Sequence, residues 1–169
     1  PLGRGKLQAG AEVDIVKRDN EYTIDQKEIA DDKSKVNENT YAVFVEYGTM
    51  TPYGMLNLGL RYEHVDFEFK NLFDASQNIS RGQDHLYPTV SFGTQIKEVQ
   101  ASLSYSVKTR RPNYRLLRSN IEYNNRYTLS TGNPKLKNEI NNQAAINMRW
   151  RFLSMSVNYQ NQQNGIYDW

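Results

Sequence analysis

The chain has 169 residues, enough for one domain, yet only 38% of them are apolar and the mean hydropathy is -0.79. The net charge of +2 gives no bulk attraction to nucleic acid, and the lack of cysteine excludes disulfides and Cys-based zinc sites. No run of about 18 apolar residues could form a transmembrane helix. Twelve Tyr, six Phe and two Trp are too many for a typical disordered chain, so the composition favours β-strands with one apolar and one polar face.

Alternation of apolar and polar residues, which is typical of half-buried strands, recurs seven times along the chain. The segments are residues 6–16, 38–47, 55–64, 86–96, 99–108, 139–150 and 153–160. The fifth is the most regular, with an apolar or aromatic residue at every second position from Val99 to Val107. No Asp, Glu, Lys or Arg lies on the apolar side of any segment, and about ten residues is the length of a tilted membrane-crossing strand. Alternation alone leaves a soluble β-sandwich open.

The connections between these segments are alternately long and short. The long ones are residues 17–37, 65–85 and 109–138, and the short ones are residues 48–54, 97–98 and 151–152. Outer-membrane barrels show this asymmetry, with tight turns at the periplasmic rim and long loops at the extracellular rim. The sequence therefore predicts an all-β fold, an antiparallel up-and-down meander of about seven long strands, as a segment of a transmembrane β-barrel that occupies residues 1–169.

An odd number of membrane strands raises the question of closure. Backbone groups in hydrocarbon must be paired within the protein, so a membrane sheet has to close on itself. We therefore expect further strands beyond both edges, and we expect the chain on its own to be prone to edge pairing and aggregation.

Two stretches of the sequence resemble a known family. Residues 104–114 read SYSVKTRRPNY, followed by LLRSN at residues 116–120, and residues 125–139 read NRYTLSTGNPKLKNE. Together they closely resemble a passage of TonB-dependent receptors of the outer-membrane β-barrel family, although Asn120 and Asn138 stand where that pattern has Pro. Residues 58–63 and 5–10 also resemble strands of this family, so the likeness covers nearly the whole chain.

This resemblance implies a transporter of about 22 strands in the Gram-negative outer membrane that imports a scarce nutrient with energy delivered by TonB. Its partners would be lipid and lipopolysaccharide, the nutrient, and TonB acting through a plug domain that we do not find in this sequence. It implies no cofactor, and it leaves iron chelates, glycans, peptides and cobalamins open as substrates. Two alternatives stay open: a soluble β-sandwich that binds carbohydrate, and a barrel with an adhesin or structural role.

The third long connection contains arginines interleaved with tyrosines, side chains that can bind a carboxylate, a phosphate or a stacked ring. The candidate ligand-binding residues are Arg110, Arg111, Tyr114, Arg118, Tyr123, Arg126 and Tyr127. The competing interpretation, which we favour, is that these residues brace a long loop against the barrel rim. The Gly132-Asn133-Pro134 sequence predicts a turn that leads into the sixth strand.

The sequence patterns that could indicate a metal site or catalytic residues are weaker than those that indicate a barrel. His64, Asp66 and Glu68 share one face of a continued strand, but strand tops in barrels are commonly charged for solvation alone, so we predict no metal site. His85 has no nucleophile motif near it, and the loop carboxylates show no paired arrangement. We therefore expect no catalytic residues and no enzymatic activity.

Overall fold

The computed structural model describes residues 5–23, 32–117, 121–125 and 128–166. Its strands are β1 Gly5–Tyr22, β2 Asp32–Thr51, β3 Gly54–Asn71, β4 Ile79–Ile96, β5 Val99–Arg110, β6 Ile121–Asn125, β7 Thr128–Thr131, β8 Glu139–Trp150 and β9 Leu153–Gln163. Two short 3-10 helices, Ala75–Gln77 and Tyr114–Leu117, lie in connections. None of the described helices is both long and apolar enough to cross a membrane.

Seven of the strands form one antiparallel sheet in the order β1-β2-β3-β4-β5-β8-β9, so each of the seven pairs with the next of the seven, and β6 and β7 lie in the connection from β5 to β8. This confirms the predicted all-β meander. A β-sandwich requires two packed sheets. In the described part of the chain the only other sheet is the β6–β7 hairpin, so the sandwich alternative is wrong. β1 and β9 lie at the two edges of the main sheet.

The register between strands places all the apolar sides on one face of the sheet, here called the outer face. One row of paired residues crosses all seven strands on this face: Leu7, Tyr47, Leu58, Val90, Tyr105, Ala144 and Tyr159. Most of these side chains are exposed rather than packed in a core. An apolar face of this extent has to be covered, and lipid is the environment that suits it.

The opposite, inner face is polar at the same height. Its matching row is Gln8, Glu46, Gly59, Thr89, Ser106, Gln143 and Gln160. The apolar band on the outer face ends at Tyr62 on β3 and at Leu86 on β4, which pair with each other. Below the band are the short turns (the lower end of the sheet), and above it are the long connections (the upper end).

The four strands β1 to β4 continue far above the band, and this corrects the predicted loop boundaries. Connection 65–85 is reduced to residues 72–78, and connection 17–37 to residues 23–31, because the strands cover the rest. The first short turn is likewise only Pro52-Tyr53, between Thr51 and Gly54. The sequence pattern was misleading because the outer face becomes charged above the band, so these strand ends have the polar composition of loops.

In this upper extension the outer face is charged, and the inner face combines buried apolar side chains with polar ones such as Arg18, Glu38 and Arg81. Outer ion pairs join neighbouring strands, as between Lys33 and Glu21 (3.0 Å) and between Lys35 and Asp19 (3.7 Å). Val36, Val65, Phe67 and Phe69 point inward and are buried. A run such as residues 65–70 therefore still alternates, but with its apolar residues on the face that was polar below.

The third long connection is shorter than predicted and contains two short strands. β5 continues to Arg110, and the hairpin formed by β6 and β7 lies within the connection. Two other pieces, residues 111–117 and 133–138, are here called the inward segments. Their apolar side chains complete a cluster on the inner face that consists of Val36, Phe67, Phe69 and Leu117, with Ile79, Tyr114 and Leu136 packed against it.

Candidate functional site: the inner face at the upper end

Arg111 lies at the centre of the contacts between the inward segments and the sheet. Its Nη1 binds Glu38 Oε1 on β2 at 3.1 Å, and its Nη2 binds Glu63 Oε1 on β3 at 2.6 Å. Only 8% of the Glu38 side chain and 4% of the Glu63 side chain are exposed. Two nearly buried carboxylates therefore share one guanidinium, an arrangement that Arg can satisfy because its donors point in several directions.

The same network continues down the inner face. Glu63 Oε2 also accepts from Arg61 Nη2 at 3.2 Å, and Arg61 Nη1 binds Glu12 on β1 at 2.9 Å. Three carboxylates thus surround two guanidinium groups. Burial raises the pKa of Glu38, although Arg111 opposes this rise. Burial works to lower the pKa of Arg111, but the hydrogen bond to Glu63 and the negative charges of Glu63 and Glu38 together outweigh that effect and raise the pKa.

Further contacts attach the inward segments to β1 and β4. The guanidinium of Arg18 on β1 lies over the ring of Tyr114, 4.4 Å from its centroid. Arg81 on β4 donates to the backbone carbonyl oxygens of Lys135 and Leu136. The backbone N–H of Asn133 donates to the carbonyl of Leu116 and so joins the two segments. Each of the strands β1 to β4 therefore supplies a polar side chain that holds this connection on the inner face.

The structure separates the predicted candidate residues rather than bringing them together. Arg111 and Tyr114 lie on the inner face in the contacts above, which is the bracing role that the sequence favoured. Arg110 is 68% exposed and only 3.9 Å from Glu139. Arg118, Arg126 and Tyr127 lie outside the described residues, and Tyr123 lies on β6 but its side chain is not described.

Sequence reasoning missed the partners of Arg111. Glu38 and Glu63 are charged residues on the inner side of membrane-type strands, so their position in the alternation marked them as inward-facing. What the sequence did not show was that a residue 48 positions further along the chain returns to Glu63. The predicted turn after Gly132 is present, because the N–H of Leu136 donates to the carbonyl of Asn133 at 3.1 Å.

The comparisons with known proteins agree with this geometry. Residues 1–168 match the model of the outer membrane protein beta-barrel family. The chain belongs to this family. Its location is accordingly the Gram-negative outer membrane, with the apolar outer face in lipid. No match was found among the curated proteins or among the solved structures.

In this barrel family member, the predicted trio of His64, Asp66 and Glu68 does not act as one unit. His64 binds Asp84 through Nδ1 at 2.7 Å and Asp66 through Nε2 at 3.3 Å, whereas Glu68 binds Lys70 at 2.7 Å. The hydrogen bond to Asp84 raises the pKa of His64. Across the described residues, no three His, Cys, Asp or Glu side chains are grouped as metal ligands would be.

An open groove of about 510 Å³ lies on the barrel wall below the Arg111 contacts. Its lining includes Phe44, Glu46, Arg61, Tyr87 and Lys108. The Tyr87 hydroxyl is buried and makes no hydrogen bond of good geometry, although the Thr109 side chain lies beside it. The groove combines aromatic rings with both signs of charge, which suits the passage of polar solutes.

Proposed function

We propose that this chain supplies part of the wall and outer mouth of a TonB-dependent receptor that imports a scarce nutrient across the outer membrane. The observation that carries the proposal is the pair of rows that cross all seven strands. The row from Leu7 to Tyr159 suits lipid, and the row from Gln8 to Gln160, one residue away, suits water. A wall with these two surfaces encloses a wet interior through which a solute can pass.

The inward segments support the finer assignment, because the motif residues that resemble TonB-dependent receptors are also the ones that attach these segments. Arg111 binds two buried carboxylates, and Pro112 after it is buried. Asn133, from the Gly-Asn-Pro motif, links the two segments to each other. The residues that carry the resemblance are therefore ones that attach the inward segments at the barrel mouth.

An adhesin or structural barrel is the second candidate, and the tip of the β3–β4 hairpin favours it. Leu72 and Phe73 are 51% and 67% exposed there. The tip is held by side chains: Asn71 Oδ1 accepts from the N–H groups of Phe73 (2.8 Å) and Asp74 (3.0 Å). An ordered, exposed apolar tip above the membrane is a suitable contact for another surface.

Uptake measurements separate the two candidates. Cells that carry the intact protein would be compared with cells lacking it and with cells lacking TonB, using ferric chelates, cobalamin, peptides and oligosaccharides as probes. Transport predicts that uptake of one probe class is lost in both deletion strains and is kept by a Leu72→Ser/Phe73→Ser variant. Unchanged uptake of every probe, together with loss of surface adhesion in the tip variant, would favour the adhesin instead.

A further inference from the structure

We propose that the inward segments are a fixed constriction that sets the size limit for solutes entering the barrel. This inference goes beyond nutrient import, because it requires only a water-filled barrel interior and no energy from TonB. It concerns the described pieces 111–117 and 133–138.

The inward segments lie where they narrow the passage. Connections at the upper end of a barrel can project into the surrounding water, but these two pieces lie on the surface that faces the interior. Their anchors are one residue on each of four consecutive strands: Arg18 on β1, Glu38 on β2, Glu63 on β3 and Arg81 on β4. Backbone and side chains packed against an inner wall occupy space that would otherwise belong to the passage.

Detachment of the inward segments from the sheet would be costly. If the segments left the wall, Glu38 would lose its arginine partner and Glu63 would lose one of two, and both carboxylates are almost completely buried. Leu117, which is 2% exposed, and the fully buried Val36 and Phe69 would be opened to water at the same time. Exposure of these apolar side chains opposes detachment, and loss of the ion pairs adds to it to the extent that water solvates the freed carboxylates less well than Arg111 does, so these segments stay in place while solutes pass.

The groove lies directly below the inward segments. Glu63 lines the 510 Å³ groove and also binds Arg111, so the constriction and the groove share a wall residue. A solute that enters from the upper end would pass the inward segments before it reaches Arg61, Tyr87 and Lys108. The constriction therefore selects by size first, and the groove then presents polar contacts.

A cysteine placed under the inward segments reports whether they are attached. Thr40 lies on the inner face of β2, is 3% exposed and has no hydrogen-bond partner for its hydroxyl. Thr40→Cys therefore loses no hydrogen bond, and this sequence contains no other cysteine. The intact protein in whole cells would be treated with a membrane-impermeant maleimide. We expect Thr40→Cys to react slowly, and about tenfold or more faster when Arg111→Ala is added. Arg110→Ala is the matched control and should leave the rate unchanged.

Passage of solutes tests the role itself. Lipid vesicles containing the intact protein would be challenged with polyethylene glycols of graded size. We expect Arg111→Ala to admit larger polymers than the parent protein and Arg110→Ala to match the parent. Glu38→Gln, which keeps the side-chain shape and the Glu63 contact, provides a milder variant in case Arg111→Ala does not fold, and it should raise the limit by a smaller amount.

Faster labelling with an unchanged size limit would overturn the proposal, and so would labelling that ignores Arg111. Absence of any polymer passage in parent and variants alike counts as an unchanged limit. The result is independent of nutrient import: a shifted limit without TonB-dependent uptake would leave the constriction standing and remove the transport function. TonB-dependent uptake with an unchanged limit would do the reverse.

Discussion

Arg110 and Arg111 are neighbours in the chain, but their surroundings differ greatly. The Arg110 side chain is 68% exposed and lies 3.9 Å from Glu139, whereas Arg111 is 30% exposed and binds Glu38 at 3.1 Å and Glu63 at 2.6 Å. All three carboxylates are almost fully buried, so the two arginines differ in their own exposure and in the distance to their partners. A long ion pair whose arginine lies mostly in water contributes little, because water screens the charge. Removing one partner of a buried pair leaves a charge that neither water nor protein solvates. We therefore expect the Arg111 side chain to contribute much more to stability than the Arg110 side chain beside it.

We expect Arg111→Ala to lower the free energy of unfolding by about 3 kcal/mol, since it leaves Glu38 buried without its partner. Arg110→Ala should lower it by less than about 0.5 kcal/mol. Denaturant unfolding of both variants in detergent micelles measures the difference. Equal effects of the two substitutions would contradict the assignment of Arg111 as the main polar anchor.

His64 gives a pH-dependent prediction at the same scale. Its pKa is raised, first by the hydrogen bond to Asp84 and further by the charges of Asp66 and Asp84. A raised pKa means that the folded state holds the proton more tightly. This contribution to stability is therefore complete below about pH 6.5, the usual histidine pKa, and is lost as the pH rises through the raised value.

The titration can be followed by NMR of the His64 ring in micelles. In Asp84→Asn the midpoint should move down toward the ordinary histidine value, because the strongest partner is neutralised. Asp66 remains 3.3 Å away in that variant, so part of the rise should persist. Identical midpoints in the two proteins would show that Asp84 does not bind the imidazolium.

At the scale of the strand, the decisive feature is the polarity of each face and the height at which that polarity changes. On β3 the outer side is apolar through Tyr62 and charged from His64 onward, while the inner side is polar up to Glu63 and apolar from Val65 to Phe69. Lipid covers the outer face of the lower part, and the inward segments cover the inner face of the upper part. One strand therefore has two buried faces at different heights, each matched to a different neighbour.

Adjacent residues on β2 test the lower part of this assignment. Val45 lies on the outer face opposite Ala9 and Leu60, and Glu46 lies on the inner face opposite Gln8 and Gly59. We expect Val45→Lys to make folding into lipid vesicles less favourable by about 2–4 kcal/mol, the cost of a lysine at mid-bilayer. Glu46→Lys, which changes charge by more, should cost little because it faces water. The reverse order of effects would mean that the faces are assigned wrongly.

At the scale of the whole molecule, the open edges of the sheet matter most. β1 and β9 lie at opposite edges and do not pair with each other in the described part of the chain. Unpaired backbone groups are costly in a membrane and also serve as a template for other strands. Both edges therefore require partners when the sheet lies in lipid.

We expect this polypeptide, expressed as these 169 residues alone, to require detergent and to form oligomers through its edge strands. Asn158→Pro in the edge strand β9 removes a backbone donor and should reduce the oligomers. Ser104→Pro in the interior strand β5 is the contrasting variant and should instead unfold the sheet. Size-exclusion chromatography with light scattering makes the measurement, and a stable monomer in water would contradict the membrane assignment.

Much of the fold follows from the sequence because period-2 alternation has a direct geometric meaning. β8 Glu139–Trp150 agrees with the predicted range 139–150, and β5 and β9 agree to within a few residues at their upper ends. The upper parts of β1 to β4 were predicted as loops because their outer residues, such as Lys17, Asp19 and Lys70, resemble the polar composition of loops. On β3 alternation continues above the band with its apolar side reversed, as in residues 65–70, whereas residues 17–22 of β1 do not alternate.

The candidate site shows the limit of the same reasoning. Composition pointed to the arginines and tyrosines of the third connection, and the Arg-Pro and Gly-Asn-Pro motifs pointed to the family that the whole chain matches. The alternation by itself determined the faces of the seven strands, since a side chain on a strand can point only to one side or the other. Only the tertiary structure decided that Arg111 rather than Arg110 binds Glu38 and Glu63. The direction in which a long connection folds depends on contacts between residues distant in sequence, and no local pattern records those contacts.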